Sequence, residues 1–164
     1  MKLDICAQYR NNGGFTTVDG IPGPNVDIVT DIRLRLPFDN ESIEEVFSCA
    51  TLEHLLLSQA SRLLKEFNRI LIPGGKLTVA VPDLNKIAKA YLDKSFDYKI
   101  INQYLYGQIF ENSFMEFDCH KSAFDFQMLK QMLGTAGFKD IAEAELYLPM
   151  HIRELMIKVI CNKL

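Results

Sequence analysis

Short apolar runs, broken by turn residues, fill the first third of the chain. Lys2 to Ile5 is the first, and Phe15 to Asp19 the second, with β-branched Thr16, Thr17 and Val18. Val26 to Val29 and Glu44 to Cys49 give a third and a fourth. Asn11, Asn12, Gly13 and Gly14 offer turns after the first run. Ile21-Pro22-Gly23-Pro24-Asn25 fits neither helix nor central strand, and Leu36-Pro37-Phe38-Asp39-Asn40 is a further turn. The period then changes. Leu56, Ala60, Leu63, Leu64, Phe67 and Leu71 recur at spacings of three and four, which predicts one apolar helix face. Arg62, Lys65, Glu66 and Arg69 fall on the other side. Pro73-Gly74-Gly75 is expected to end that helix, and Lys76 to Val81 alternates as a fifth strand.

Asp83 reads as the N-cap of a second helix with Ile87, Ala88 and Tyr91 inward. Asp97 to Gly107 is also helical, and Glu111 to Ser122 is irregular. Asp125 caps a helix through Met128, Leu129, Met132 and Leu133 that ends at Gly137. Lys139 to Tyr147 and Glu154 to Cys161 complete the set as two strands. Strands alternating with helices predict an α/β fold with a mostly parallel, Rossmann-like sheet. The last two strands are joined by a short loop containing Pro149, which suits an antiparallel pair. Ligands in such sheets bind beyond the C-terminal strand ends, so the residues just after each strand are the ones to weigh.

Composition narrows the function. A chain of 164 residues, 48% hydrophobic and 24% charged, suits one soluble domain over residues 1–164. A net charge of −3 with scattered Lys and Arg argues against duplex nucleic acid. No apolar run is long enough for a membrane span, and no signal peptide is evident. The four cysteines form no CxxC pair, so reduced thiols in a cytoplasmic setting are expected. A small sheet ending in an exposed strand favours pairing into a homodimer, though the sequence leaves the oligomeric state open.

The series LDICAQ, VDG, DIVTDIRLRLPFDNESIEEVFSCATLEHL and LKEFNRILIPGGKLTVAVPDL resembles a small class I S-adenosylmethionine-dependent methyltransferase of the type 11-like group. HKSAFDFQMLKQMLGTAGFKDI is similar to the C-terminal region of such proteins. The resemblance implies a seven-stranded sheet with an antiparallel C-terminal strand, and S-adenosylmethionine lying across its C-terminal edge. It implies that Asp19, followed by Gly20, holds the ribose hydroxyls. Asp31 and Ile32 would lie beside the adenine, and Cys49 and Ala50 below the methionine end. Cys6, Ala7 and Gln8 would form the first cofactor loop.

The bland readings stand beside these. Asp19 can be a turn former and Asp31 a solvated loop acid. Glu53 would stabilise a helix dipole from a first turn. His120 and His54 are the candidate general bases, because imidazole titrates near neutral pH. A packed structural role for His54 and a surface-loop role for His120 stay open. Cys6 and Gln8 occupy positions where the family carries glycines, and Ala50 a position where similar sequences carry histidine. Two functions therefore remain. One is methyl transfer to a small-molecule or glycan-type acceptor. The other is a non-catalytic binding or scaffold protein of the same fold that has lost cofactor binding. The family strand order would also bring Cys6 near Cys49, with His54 or Cys119 in reach. The spacing is not a metal signature, and no metal is expected.

Overall fold

Alternation along each strand decides which side of the sheet it buries. In the computed structural model, which describes residues 1–7, 12–107, 119–146 and 151–164, seven strands form one sheet. They are β1 (Lys2–Ile5), β2 (Thr16–Asp19), β3 (Ile28–Val29), β4 (Ile43–Cys49), β5 (Leu71–Pro82), β6 (Phe138–Ala144) and β7 (Met156–Lys163). Their order is β3-β2-β1-β4-β5-β7-β6. The first five strands in that order pair in parallel. β7 runs antiparallel to both β5 and β6. The expected Rossmann-like sheet with a reversed C-terminal strand is therefore present.

Leu3, Val46, Leu77 and Cys161 stand opposite one another across β1, β4, β5 and β7. That face packs on Leu63, Leu64 and Phe67 of α1 (Leu57–Ile70) and on Leu129 and Leu133 of α4 (Phe126–Thr135). All of these side chains are buried, and each large one contributes roughly 1.5–3 kcal/mol. On the other face, one row carries charge. Glu45 sits between Lys2 at 2.9 Å and Lys76 at 3.2 Å. Those two hydrogen-bonded ammonium groups outweigh the cost of its partial burial and hold its carboxyl below the ordinary value.

Several local expectations change. Helix α1 begins at Leu57; Leu56 is its exposed N-cap residue, and Ile70 takes a place on the buried face. The helix ends at Ile70, before Pro73-Gly74-Gly75, and β5 already starts at Leu71. Leu71 pairs with Ile43, the ladder breaks, and pairing resumes at Lys76 opposite Glu45. The glycines serve this interruption. Gly74 has φ +74°, and a Cβ on Gly75 would meet the Ile72 carbonyl oxygen at 2.8 Å. Glu66 and Arg69 are not a solvated face. Arg69 donates to the carbonyls of Phe38 and Leu36, and Glu66 accepts from Leu36 N–H, so the pair clamps the 36–40 turn.

Asp83 does cap α2 (Leu84–Leu92), accepting from the N–H groups of Asn85 and Lys86. The buried residues of that helix are Ile87 and Ala90, whereas Ala88 and Tyr91 face outward. α3 (Tyr98–Tyr106) follows. Asp125 caps α4 by accepting from Met128 N–H. Gln8, Tyr147, Pro149 and most of the 111–122 segment lie outside the described residues. Among the described residues no helix is long and apolar enough to cross a membrane.

Candidate active site

Two left-handed turns stand side by side at the C-terminal ends of β1 and β4. Cys6 has φ 55° and donates its N–H to Val18 O at 2.7 Å. Ala50 has φ 53° and donates to Ala80 O at 2.9 Å. β1 and β4 are neighbours, with Ile5 opposite Ser48, so the two turns flank one notch in the sheet edge. Thr51 Oγ1 reaches the carbonyls of both Ile5 and Cys49 at 3.3 Å and ties the strand ends together. Ala7 and Cys49 are buried beneath. A left-handed residue in a tight turn is the conformation for which glycine is the usual choice. Cys6 thus keeps the backbone of a glycine loop without the glycine.

Asp19 ends β2 and is 8% exposed. Its Oδ1 accepts from Ile21 N–H at 3.0 Å, and its carbonyl accepts from Thr30 N–H at 2.8 Å. The carboxylate is thus held at the strand end by the turn through Gly20. Asp31 follows β3, where both its oxygens accept from the Arg33 guanidinium at 2.9–3.1 Å. The Arg33 hydrogen bonds hold its carboxyl below the ordinary range. Ile32 beside it is buried. Asp19, Gly20, Asp31 and Ile32 therefore border the β2 and β3 ends of the same sheet edge.

The turn after β4 continues into a 3-10 turn, Leu52–His54. Glu53 is 1% exposed and lies before α1, not in its first turn, so its expected helix-dipole role is replaced by a packed one. The Glu53 carbonyl accepts from the N–H groups of Lys121 at 2.7 Å and Ser122 at 3.2 Å. Ser122 Oγ donates to Leu55 O at 2.6 Å. These bonds fasten the 120–122 segment to the turn and bring His120 to His54. The two rings meet edge to face with centroids 4.9 Å apart. A ligand atom from each of Glu53, His54 and His120 lies within 4.8 Å of the other two. His120 Nδ1 is 3.0 Å from the Tyr104 carbonyl of α3. Burial, and then the neighbouring His54, push the His120 pKa down to about 4.

The two predicted histidines are thus brought together, and both stand on the β4 side of the edge. Glu53 and Tyr104 were not expected in this role. Glu53 had a signal, its place beside His54, but a carboxylate before a helix has a commoner use. Tyr104 contributes through its carbonyl, which no side-chain pattern can show. Asp83, with its carboxylate on the α2 N-terminus, is structural. A cavity of about 700 Å³ opens elsewhere, between α2 and the β6–β7 pair, lined by Lys86, Phe96, Glu143 and Met156 among others. None of the predicted site residues lines it. The strand-end cluster is the better candidate, because the polar groups converge there.

Residues 7–79 match the family of type 11 methyltransferase domains. A methyltransferase described as S-adenosylmethionine-dependent, from Methanosarcina mazei, shares the fold. It is 21% identical with a TM-score of 0.64, over 99% of this chain and 92% of that one. The family match covers 73 of the 164 residues, and the solved structure shows a shared fold. A Pyrococcus horikoshii protein is similar in fold to this chain at 18% identity and a TM-score of 0.65, covering 99% and 81% of the two chains. Human N-acetylserotonin methyltransferase, solved in complex with SAM, is similar at 14% identity and a TM-score of 0.55, covering 92% and 41%. No curated protein matches the sequence. The domain match begins just after Cys6 and runs through β2, β3 and β4 into β5, so the Ala50 side of the notch lies within it and Cys6 at its border.

Proposed function

We propose that this protein is a methyltransferase that takes S-adenosylmethionine as its methyl donor and a hydroxyl group of a small molecule or glycan as its acceptor. The observation that carries the acceptor class is the gathering of His54, His120 and Glu53 beside the β4 end. Hydroxyl acceptors, unlike most amines, need help in losing a proton, and imidazole nitrogens in reach of the acceptor supply it. On the donor side, Asp19 receives the ribose hydroxyls on a carboxylate fixed by Ile21 N–H. Ile32 lies against the adenine, with Asp31 at its edge. Cys6, Ala7, Cys49 and Ala50 form the floor and sides of the notch under the methionine end.

The protein has little covalent work to do. The sulfonium methyl carbon is electrophilic, and aligning an oxygen behind it supplies most of the acceleration. When bound, S-adenosylmethionine would supply a methyl group whose bond to sulfur breaks as its bond to the acceptor oxygen forms, leaving S-adenosylhomocysteine, and His54 or His120 would take the hydroxyl proton.

Isothermal titration with S-adenosylmethionine and S-adenosylhomocysteine tests the donor. Both ligands are expected to bind with one site. Asp19→Asn, which keeps the side-chain shape, is expected to weaken binding about tenfold or more, equivalent to ~1.4 kcal/mol or above. Absence of binding by either ligand in folded protein would overturn the reading in favour of a binding or scaffold protein of the same fold.

A further inference from the structure

We propose that Glu53, His54 and His120 form a binding site for one divalent transition-metal ion of the zinc type. Two imidazole nitrogens and one carboxylate oxygen are a donor set that suits Zn²⁺, Co²⁺, Ni²⁺ or Fe²⁺ and disfavours Mg²⁺ and Ca²⁺, which take oxygen. The three donor atoms already lie within 4.8 Å of one another. Metal–ligand bonds of about 2.0–2.2 Å place tetrahedral donors about 3.4 Å apart. Closing the set therefore asks for small side-chain rotations and no rebuilding of the chain.

The surroundings fit this use in two ways. The Tyr104 carbonyl can only accept, so the 3.0 Å contact puts the proton of the neutral ring on His120 Nδ1. The other ring nitrogen then presents its lone pair. A backbone carbonyl fixing the tautomer in this way is the usual outer partner of a metal-binding histidine. The second fit is in the backbone. Glu53 and His54 come from the turn after β4, and His120 from a distant segment. The bonds from Lys121 and Ser122 to the Glu53 carbonyl, and from Ser122 Oγ to Leu55 O, hold these two pieces in register.

Three protein ligands leave a coordination position open for water or an oxygen of another molecule. Its chemical use rests on the methyltransferase reading. With the cation bound, an acceptor hydroxyl in that position would lose its proton more readily and release it to water, which replaces direct proton transfer to the imidazoles.

The experiment uses the full chain, treated with chelator and then titrated with Co²⁺ as a coloured probe and Zn²⁺ as a silent one. One equivalent of Co²⁺ is expected to give visible d–d bands, and His120→Ala to weaken that binding tenfold or more. Zn²⁺ is expected to shift the ring resonances of His54 and His120 and to leave those of His151 in place. This second readout decides the matter if the His120→Ala variant fails to fold. No visible band, or Zn²⁺ shifts at His151 instead of the pair, would overturn the site. S-adenosylmethionine is titrated separately on the same sample. Metal binding without cofactor binding would support the site and remove its link to methyl transfer.

Discussion

At Cys6 the backbone adopts φ 55°, which costs a residue with a side chain roughly 1–2 kcal/mol. The side chain packs part-buried against the core, so its loss has an effect of its own. Comparing two variants separates the effects. Cys6→Ala removes the thiol and keeps the strain, whereas Cys6→Gly removes both. We expect the glycine variant to be the more stable by about 0.5–1 kcal/mol, after glycine's own entropic penalty of about 0.5–1 kcal/mol. At an ordinary strand position the order is reversed. Chemical denaturation of the two variants checks it, and an alanine variant as stable as the glycine one would show the turn to be unstrained. The turn's place in the chain was legible in LDICAQ, but its left-handed backbone was not. Glycine ordinarily advertises that conformation, and here the advertisement is missing. The histidines were legible one at a time as residues with the right chemistry. Their meeting was not, because it depends on a carbonyl in α3 and two backbone bonds to Glu53.

At the scale of elements, hydrophobic spacing located every strand and the helices that bracket β5, but it placed their ends by the nearest strong breaker. Pro73-Gly74-Gly75 looks like a helix terminator. It is an interruption within β5, because Leu71 can pair with Ile43 before the chain bulges. Gly75 and Gly134 should respond oppositely to one methyl group. Gly75→Ala forces a Cβ to 2.8 Å from the Ile72 oxygen and about 3 Å from Leu71, and is expected to destabilise by about 1–3 kcal/mol. Gly134 lies in α4 with nothing within 4 Å of an added Cβ. Gly134→Ala should stabilise by about 0.5–1 kcal/mol through helix propensity. Equal melting temperatures for the two variants would contradict this account.

For the whole molecule, the four cysteine thiols report how the sheet is covered. Cys49 and Cys161 are buried, and burial pushes the Cys161 pKa up to about 12. Cys6 and Cys119 are partly exposed. A thiol reagent at mildly alkaline pH is expected to label Cys6 and Cys119 quickly, and Cys49 and Cys161 only on unfolding. Peptide mapping after timed labelling checks the order, and early labelling of Cys161 would show that the β5–β7 seam opens in the native state. That seam has a further consequence, for the order of assembly. β7 follows β6 in the chain yet stands between β6 and β5. β6 therefore has no strand to join until residues 156–163 have been made. During synthesis the parallel strands can pair as they emerge from the ribosome, while β5 waits with one bare edge for the segment that closes the sheet.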